Sequence, residues 1–258
     1  MVVNYVTHKD NLGSLGNAPG KWVFVPDPEE IPVTFQIGIV GSDGVLLASD
    51  RRYTRPGPVR TTFDADKIKI SGNVAYCCSG DDLTQIAADD ACLIWASKKT
   101  RSKESLVTSI VDSLGKLEKW NIPGSILLAN DAGSHVELFR VDIYSRATCP
   151  IVCQIDNRDY QGDGFNAAAF FVERYLPANN FKQRPLEQMK LIAAHAMLMA
   201  STLNPTGVHG LDIYLCRSRR PFEKLAQSEI EGLVAASQEI DSQIGRGLGI
   251  PLKPRQAV

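Results

Sequence analysis

From residue 33 onward the chain alternates short apolar runs with polar breaks, and the spacing of those breaks separates strands from helices. Runs of strand length occupy 33–40 and 45–49, joined by Gly41-Ser-Asp-Gly44, whose Asp-Gly step is a strong hairpin signal. A polar stretch with Pro56-Gly-Pro58 at its centre follows over 51–62 and is expected to be a loop. Residues 68–70 and 74–79 then form a second hairpin pattern through Ser71-Gly-Asn73. Two helical stripes come next. Leu83, Ile86, Ala87, Ala91, Ile94 and Trp95 recur near a 3.6-residue period over 82–97. Leu106, Ile110, Val111, Leu114 and Leu117 do so over 103–120, with Ser102 placed to cap. Strands resume at 125–129 and 135–141, split by Asn130-Asp-Ala-Gly133, and a shorter pair, 151–155 and 158–160, turns at Asp156-Asn157. The spacing predicts further helices over 166–175, 185–202 and 229–244, the last with Ser228 as cap, and one more strand over 211–216.

The strand runs show little polar alternation, which suits sheets covered on both faces. Strands arrive as hairpins and helices mostly in adjacent pairs. That order predicts an α+β layered sandwich with helices on both outer faces, not the strict strand–helix alternation of a parallel sheet. The first 33 residues read differently. Residues 11–20 are rich in Gly, Asn, Ser and Pro, Pro26-Asp-Pro-Glu-Glu30 is Pro-broken, and Trp22-Val-Phe-Val25 between them suits one short strand or a docking anchor. This segment is expected to be a leader or arm, 34–227 the domain, and 228–258 a C-terminal helix and tail.

Composition excludes several classes. The 258 residues carry 28 Lys+Arg against 29 Asp+Glu, a net charge of −1, so bulk charge offers nothing to a nucleic-acid backbone. No apolar run approaches the roughly 20 residues a membrane-spanning helix needs. Residues 1–8 lack the basic and apolar regions of a secretory signal, and a cytoplasmic location without membrane contact is expected. Six cysteines are too few for a disulfide scaffold, and four of them, Cys77, Cys78, Cys92 and Cys216, sit in apolar runs. Cys149 and Cys153 have no second Cys or His pair beside them to complete a zinc site, so neither metal nor other cofactor is expected.

One segment carries chemistry. Thr34-Phe-Gln-Ile-Gly-Ile-Val-Gly-Ser-Asp-Gly-Val-Leu-Leu-Ala-Ser-Asp-Arg-Arg52 resembles the opening of a proteasome-type β-subunit: a Thr-initiated strand, an Asp-Gly turn, then an apolar strand ending in Ala-x-Asp-x-Arg. Three later stretches fit the same family in order. They are Ile68-Lys-Ile70 through Ser79-Gly80, then Gly162-Asp-Gly164 before a helix running to Glu173-Arg-Tyr175, and Asn204 to Gly210-Leu-Asp-Ile213. The resemblance covers most of 34–216. It implies the four-layer αββα sandwich of N-terminal-nucleophile (Ntn) hydrolases.

The resemblance also implies a mechanism. A leader is cut away to free a Thr whose own α-amine, with a pKa of about 8, serves as base for its hydroxyl. A lysine lowers the nucleophile's pKa, an aspartate anchors it, and backbone N–H groups hold the oxyanion. Thr34 falls at the nucleophile and Asp50 at the aspartate by ungapped spacing. Straight counting puts Asp66 at the lysine position, whereas one residue inserted in the 51–62 loop puts Lys67 there, and both registers stand open. Asp163 and Asn204 occupy accessory positions, where the family has a Ser and an Asp. The function implied is a threonine-type peptidase subunit acting on peptide or protein substrates and assembled with identical subunits in a ring, an ATPase partner being left open. The paired helices over 82–120 are where such neighbours would meet, and their Trp95 and Trp120 suit either such contacts or core packing. The alternative is a catalytically inactive ring-forming or binding subunit, motivated by Val33 in place of Gly before the Thr, by Asp163 and by the neutral Asn204. His195 and His209 are expected to be structural.

Overall fold

Apolar residues at consecutive positions of a strand need cover on both faces, and the first hairpin shows how that demand is met. In β1 (Phe35–Gly41) and β2 (Gly44–Ser49), Val45 and Leu47 point one way and Leu46 and Ala48 the other, and all four are buried. The structure, a computed structural model, describes residues 34–55, 61–80, 82–117, 124–144, 149–162, 168, 172–174, 184–205 and 207–249. The short strand expected at 22–25 lies outside them.

Two five-stranded antiparallel sheets form the centre. In the first, β1 and β2 are flanked by β10 (Arg158–Gly162) on one side, and by β11 (Asp212–Cys216) and β12 (Glu223–Lys224) on the other, in the order β10-β1-β2-β11-β12. The second runs β5 (Lys69–Ser71), β6 (Val74–Ser79), β7 (Gly124–Asp131), β8 (Val136–Ile143), β9 (Ile151–Ile155). Between the sheets lie Val45, Leu47, Ile68, Ala75, Cys77, Leu127, Leu138 and Tyr214. Helices α1 (Asp82–Ala96) and α2 (Lys103–Gly115) cover the outer face of the second sheet, with Trp95 fully buried and edge-on to Phe139. Helices α3 (Leu186–Leu203) and α4 (Gln227–Leu248) cover the first, against Phe35, Ile37, Ile39 and Ile213. The layers are therefore α, β, β, α, the sandwich expected from the pattern.

Ser102 does cap α2. Its side chain accepts from Ser105 N while the Ser105 hydroxyl accepts from Ser102 N, a reciprocal box that satisfies two otherwise orphaned donors. Several expectations need correction. The polar stretch 51–62 is not only loop: β3 (Arg52–Arg55) and β4 (Thr61–Asp64) pair as a separate two-stranded ribbon, with Tyr53 stacked on Phe63 at 5.3 Å. Residues 151–155 and 158–160 do not pair with each other. β9 joins β8 and β10 joins β1, so the Asp156-Asn157 turn passes from one sheet to the other. The buried edge of β1 needs a partner there, and β10 satisfies its N–H and C=O groups. Ser228 lies inside the first turn of α4, whose N-cap is Ala226, and β12 had no signal in its two polar residues. Helix α2 ends at Gly115, short of the expected 120, and of the helix expected over 166–175 the described residues 168 and 172–174 are helical.

The turn after β11 is held by one side chain of the second sheet. Asp131 accepts from Arg219 N at 2.8 Å, Gly133 N at 2.8 Å and the Ser218 hydroxyl at 3.1 Å, which stabilises Arg219 at its positive φ of 59°. Burial pushes the Asp131 carboxyl up, but these donors together hold it below the ordinary aspartate range. A carboxylate depressed in the folded state stabilises at pH values above the unfolded pKa, about 4, and that contribution is lost as pH falls through the folded value. Asp131→Asn should therefore cost about 1–3 kcal/mol at pH 7, and the gap to the parent should narrow below about pH 4. Urea midpoints at the two pH values check this; a gap independent of pH would contradict it.

Candidate functional site

The β1–β2 pairing by itself brings the first two candidate residues together. Gln36 pairs with Ser49, so Phe35 and Asp50 meet just beyond the register: Asp50 N donates to Phe35 O at 3.1 Å, and Phe35 N donates to Asp50 Oδ1 at 2.9 Å. Arg52 N donates to Asp50 Oδ2 at 3.0 Å. Lys67 arrives from the segment between the ribbon and β5. Its Nζ lies 2.7 Å from Asp50 Oδ2 and 2.9 Å from Thr34 Oγ1, and 5.2 Å from the centre of the Tyr53 ring. Thr34, Asp50 and Lys67 are all buried.

Such a row is electrostatically costly and specific. Burial, the larger effect, pulls the Lys67 ammonium below the ordinary lysine range, and the Asp50 carboxylate opposes it. Burial likewise raises Asp50, against Lys67 and the two backbone amides. A lysine at this position donates to a hydroxyl and a carboxylate at once. Any negative charge placed on Thr34 Oγ1 would be lowered in energy by that ammonium, since little water screens the interaction there. No group of His, Cys, Asp and Glu able to hold a metal ion occurs among the described residues.

The two registers left open for the lysine differ in what they bring to Thr34. Lys67 is the side chain within hydrogen-bond reach. Asp66 points away, where it pairs with Lys224 Nζ at 2.7 Å and with Arg51 Nη2 at 3.3 Å. Asn204 forms the C-cap of α3, and its Oδ1 accepts from Gly207 N at 3.0 Å. Asp163 lies outside the described residues. Its neighbour Gly162 pairs with Phe35 and packs directly on the Thr34 carbonyl. His209 contributes its carbonyl, which accepts from Arg51 N at 2.7 Å, and its ring stands 3.3 Å from Asp64. His195 Nδ1 meets the Ser237 hydroxyl at 2.6 Å, with Asp241 3.9 Å from Nε2. This Ser–His–Asp row joins α3 to α4, with His195 2% and Ser237 0% exposed, so its serine and histidine are packed between two helices.

Trp95 belongs to the core and not to a surface contact, and Trp120 lies outside the described residues. The four cysteines of the apolar runs are buried, while Cys149 and Cys153 are exposed and free. Sequence reasoning missed the Arg52 amide and the Tyr53 ring beside the row, and Asp212 and Lys224, which pair with the adjacent Arg51 and Asp66. The amide has no side-chain signature. Asp212 could have been noticed as a lone acidic residue opening an apolar strand.

No helix among the described residues is long and apolar enough to cross a membrane. Neither a family model nor a curated protein matches the sequence. Among solved structures the chain is similar to Anbu (ancestral beta-subunit) from Yersinia bercovieri, with a TM-score of 0.62 at 13% identity over 87% of this chain and 100% of that one. A likeness at that identity shows the fold alone: this chain folds as a proteasome-like αββα sandwich.

Proposed function

We propose that the chain is a proteasome-like threonine peptidase subunit whose nucleophile is Thr34, freed by removal of the segment before it. The observation that carries this is the buried contact of Thr34 Oγ1 with Lys67 Nζ at 2.9 Å, itself 2.7 Å from Asp50. A threonine just before a β-strand has no structural need for a buried ammonium on its hydroxyl, and burying that ammonium is costly without a compensating partner.

In the proposed reaction the released α-amine of Thr34 takes the proton of Oγ1 as the oxygen adds to a peptide carbonyl. Lys67 stabilises the charge developing on Oγ1, and Asp50 holds Lys67 in place. The tetrahedral intermediate collapses by breaking the C–N bond, and the leaving amine collects the proton from the Thr34 ammonium. Water then adds to the ester at Oγ1, gives its proton to the amine, and releases the acid with the hydroxyl restored. Identical subunits joined in a ring would confine this chemistry. One observation favours the inactive alternative: Asn204 is neutral and its Oδ1 is spent on a turn, so no carboxylate charge comes from that position to support the amine.

Intact-mass spectrometry separates the two. The active reading expects a species beginning at Thr34 that gains the mass of one peptide epoxyketone, since that reagent needs a hydroxyl and an amine on the same residue. Thr34→Ala should lose both the processing and the adduct. An unprocessed chain that gains nothing would leave the silent, ring-forming reading.

A further inference from the structure

Residues 65–68, between β4 and β5, belong to no sheet, so no strand ladder fixes which side chain faces Thr34. Ala65 N ties them to the residue after Asp50, donating to Arg51 O at 2.9 Å. Ile68, 3% exposed in the core between the sheets, anchors the far side of Lys67. On the near side stands a set of four charges. Arg51, the residue after Asp50, and Asp66, the residue before Lys67, pair at 3.3 Å. Arg51 Nε lies 3.7 Å from Asp212 Oδ2. Lys224 Nζ closes the ring, 2.7 Å from Asp66 Oδ2 and 2.9 Å from Asp212 Oδ1.

Each member is constrained from elsewhere. The Asp212 side chain is 4% exposed and sits opposite Ser49 in the ladder, one residue from Asp50. Lys224 faces Tyr214 across β11 and β12, with its ammonium 5.8 Å from the ring centre. Gly210, at φ +77°, leaves room for the Arg51 stem, which a Cβ there would meet at 2.7 Å. The side chains flanking the aspartate and the lysine of the site are thus tied to each other and to a hairpin more than 140 residues further along the chain.

We propose that Lys224 and Asp66 are positioning residues for Lys67: the Lys224–Asp66–Arg51–Asp212 set holds segment 65–68 in the one register that presents Lys67, and not Asp66, to Thr34. This rests on the reading of Thr34 as nucleophile, but its geometric part does not. Two readouts are used on protein expressed from the full chain and left to process itself, peptide hydrolysis and the crystal structure of each variant. Lys224→Met keeps the stem and removes the charge. It should lower kcat by about ten- to a hundred-fold with KM unchanged, because displacing a group by about 1 Å from a distance has effects of that order. Its structure should show Lys67 Nζ moved away from Thr34 Oγ1. Lys224→Arg, able to reach both carboxylates, should restore most of kcat.

A Lys224→Met protein with a lower melting temperature but parental kcat, and Lys67 still on Thr34, would overturn the proposal. If that variant does not fold, Asp66→Asn, a change at a half-exposed side chain, is read by the same two measurements with the same expectation. If the parent hydrolyses no peptide, the peptidase reading fails on its own, and the position of Lys67 in the variant structures still decides this one.

Discussion

Lys67→Met is expected to lower peptide hydrolysis by about a hundred- to a thousand-fold, the scale seen when one preorganised charge-stabilising donor is removed. It should also destabilise the fold by about 3–5 kcal/mol, since Asp50 loses its counter-ion in a buried place and must hold an unpaired charge or take up a proton. Both effects come from one geometry. The Lys67 and Asp50 side chains are 3% and 0% exposed, so water cannot replace the missing ammonium. Asp50 would keep its two backbone donors, Phe35 N and Arg52 N, which lessen the penalty without cancelling it.

The pH dependence of this variant has a definite sign. Burial already raises Asp50, and losing Lys67 removes the strongest opposing influence. A carboxyl raised in the folded state favours folding at pH values below its unfolded pKa, and that advantage is lost as pH rises through the folded value. The stability deficit of Lys67→Met should accordingly be smallest in acid and grow toward neutral pH. Adding Asp50→Asn should recover part of the stability, because the unpaired buried charge is then gone while the side-chain oxygen still accepts a backbone N–H, and none of the activity. Denaturant midpoints and kcat for the two variants check this. Parental stability and turnover in Lys67→Met would end the proposed role of the row.

Gly162→Ala should be the most damaging small substitution in the domain, with a loss above about 4 kcal/mol or no folded protein at all. Gly162 has φ +103°, a region that side chains rarely enter, and a Cβ there would stand 1.3 Å from Thr34 O and 2.4 Å from Thr34 C. Backbone cannot yield to that extent without breaking the Phe35–Gly162 pairing that seats Thr34 at the start of β1. Gly72→Ala makes the natural comparison. Gly72 also has positive φ, +57°, but nothing lies within 4 Å of its Cβ position, so only the conformational cost of about 1 kcal/mol is expected. Thermal melts of the two variants give the contrast directly. A Gly162→Ala protein as stable as Gly72→Ala would mean that the close approach to Thr34 is misplaced.

Much of this site is visible in the chain before it folds, because its first half is local. Thr34 and Asp50 sit at opposite ends of one hairpin, and the Asp-Gly turn that sets the hairpin's register also sets which residues meet at its open end. Ser102 as cap follows from the same kind of short-range evidence. The ribbon of β3 and β4 was hidden because Pro56-Gly-Pro58 dominates a stretch whose flanks, Tyr53 and Phe63, show their purpose only when stacked. The partners of β9 and β10 were misassigned for a related reason. A tight turn between two strand runs suggests a hairpin, yet each run found a better edge in a different sheet.

The sequence by itself determined the layered α+β class, the hairpin that joins Thr34 to Asp50, and the short list of residues able to complete the row. Only the tertiary structure decided between Asp66 and Lys67. Neighbouring side chains in an extended segment point in different directions, and nothing local says which direction is inward. Here Asp66 is drawn outward by Arg51 and Lys224, and Lys67 is left to the one buried carboxylate that can neutralise it. Charges from distant parts of the chain make that choice, because a buried ammonium is tolerable only where a carboxylate already waits for it.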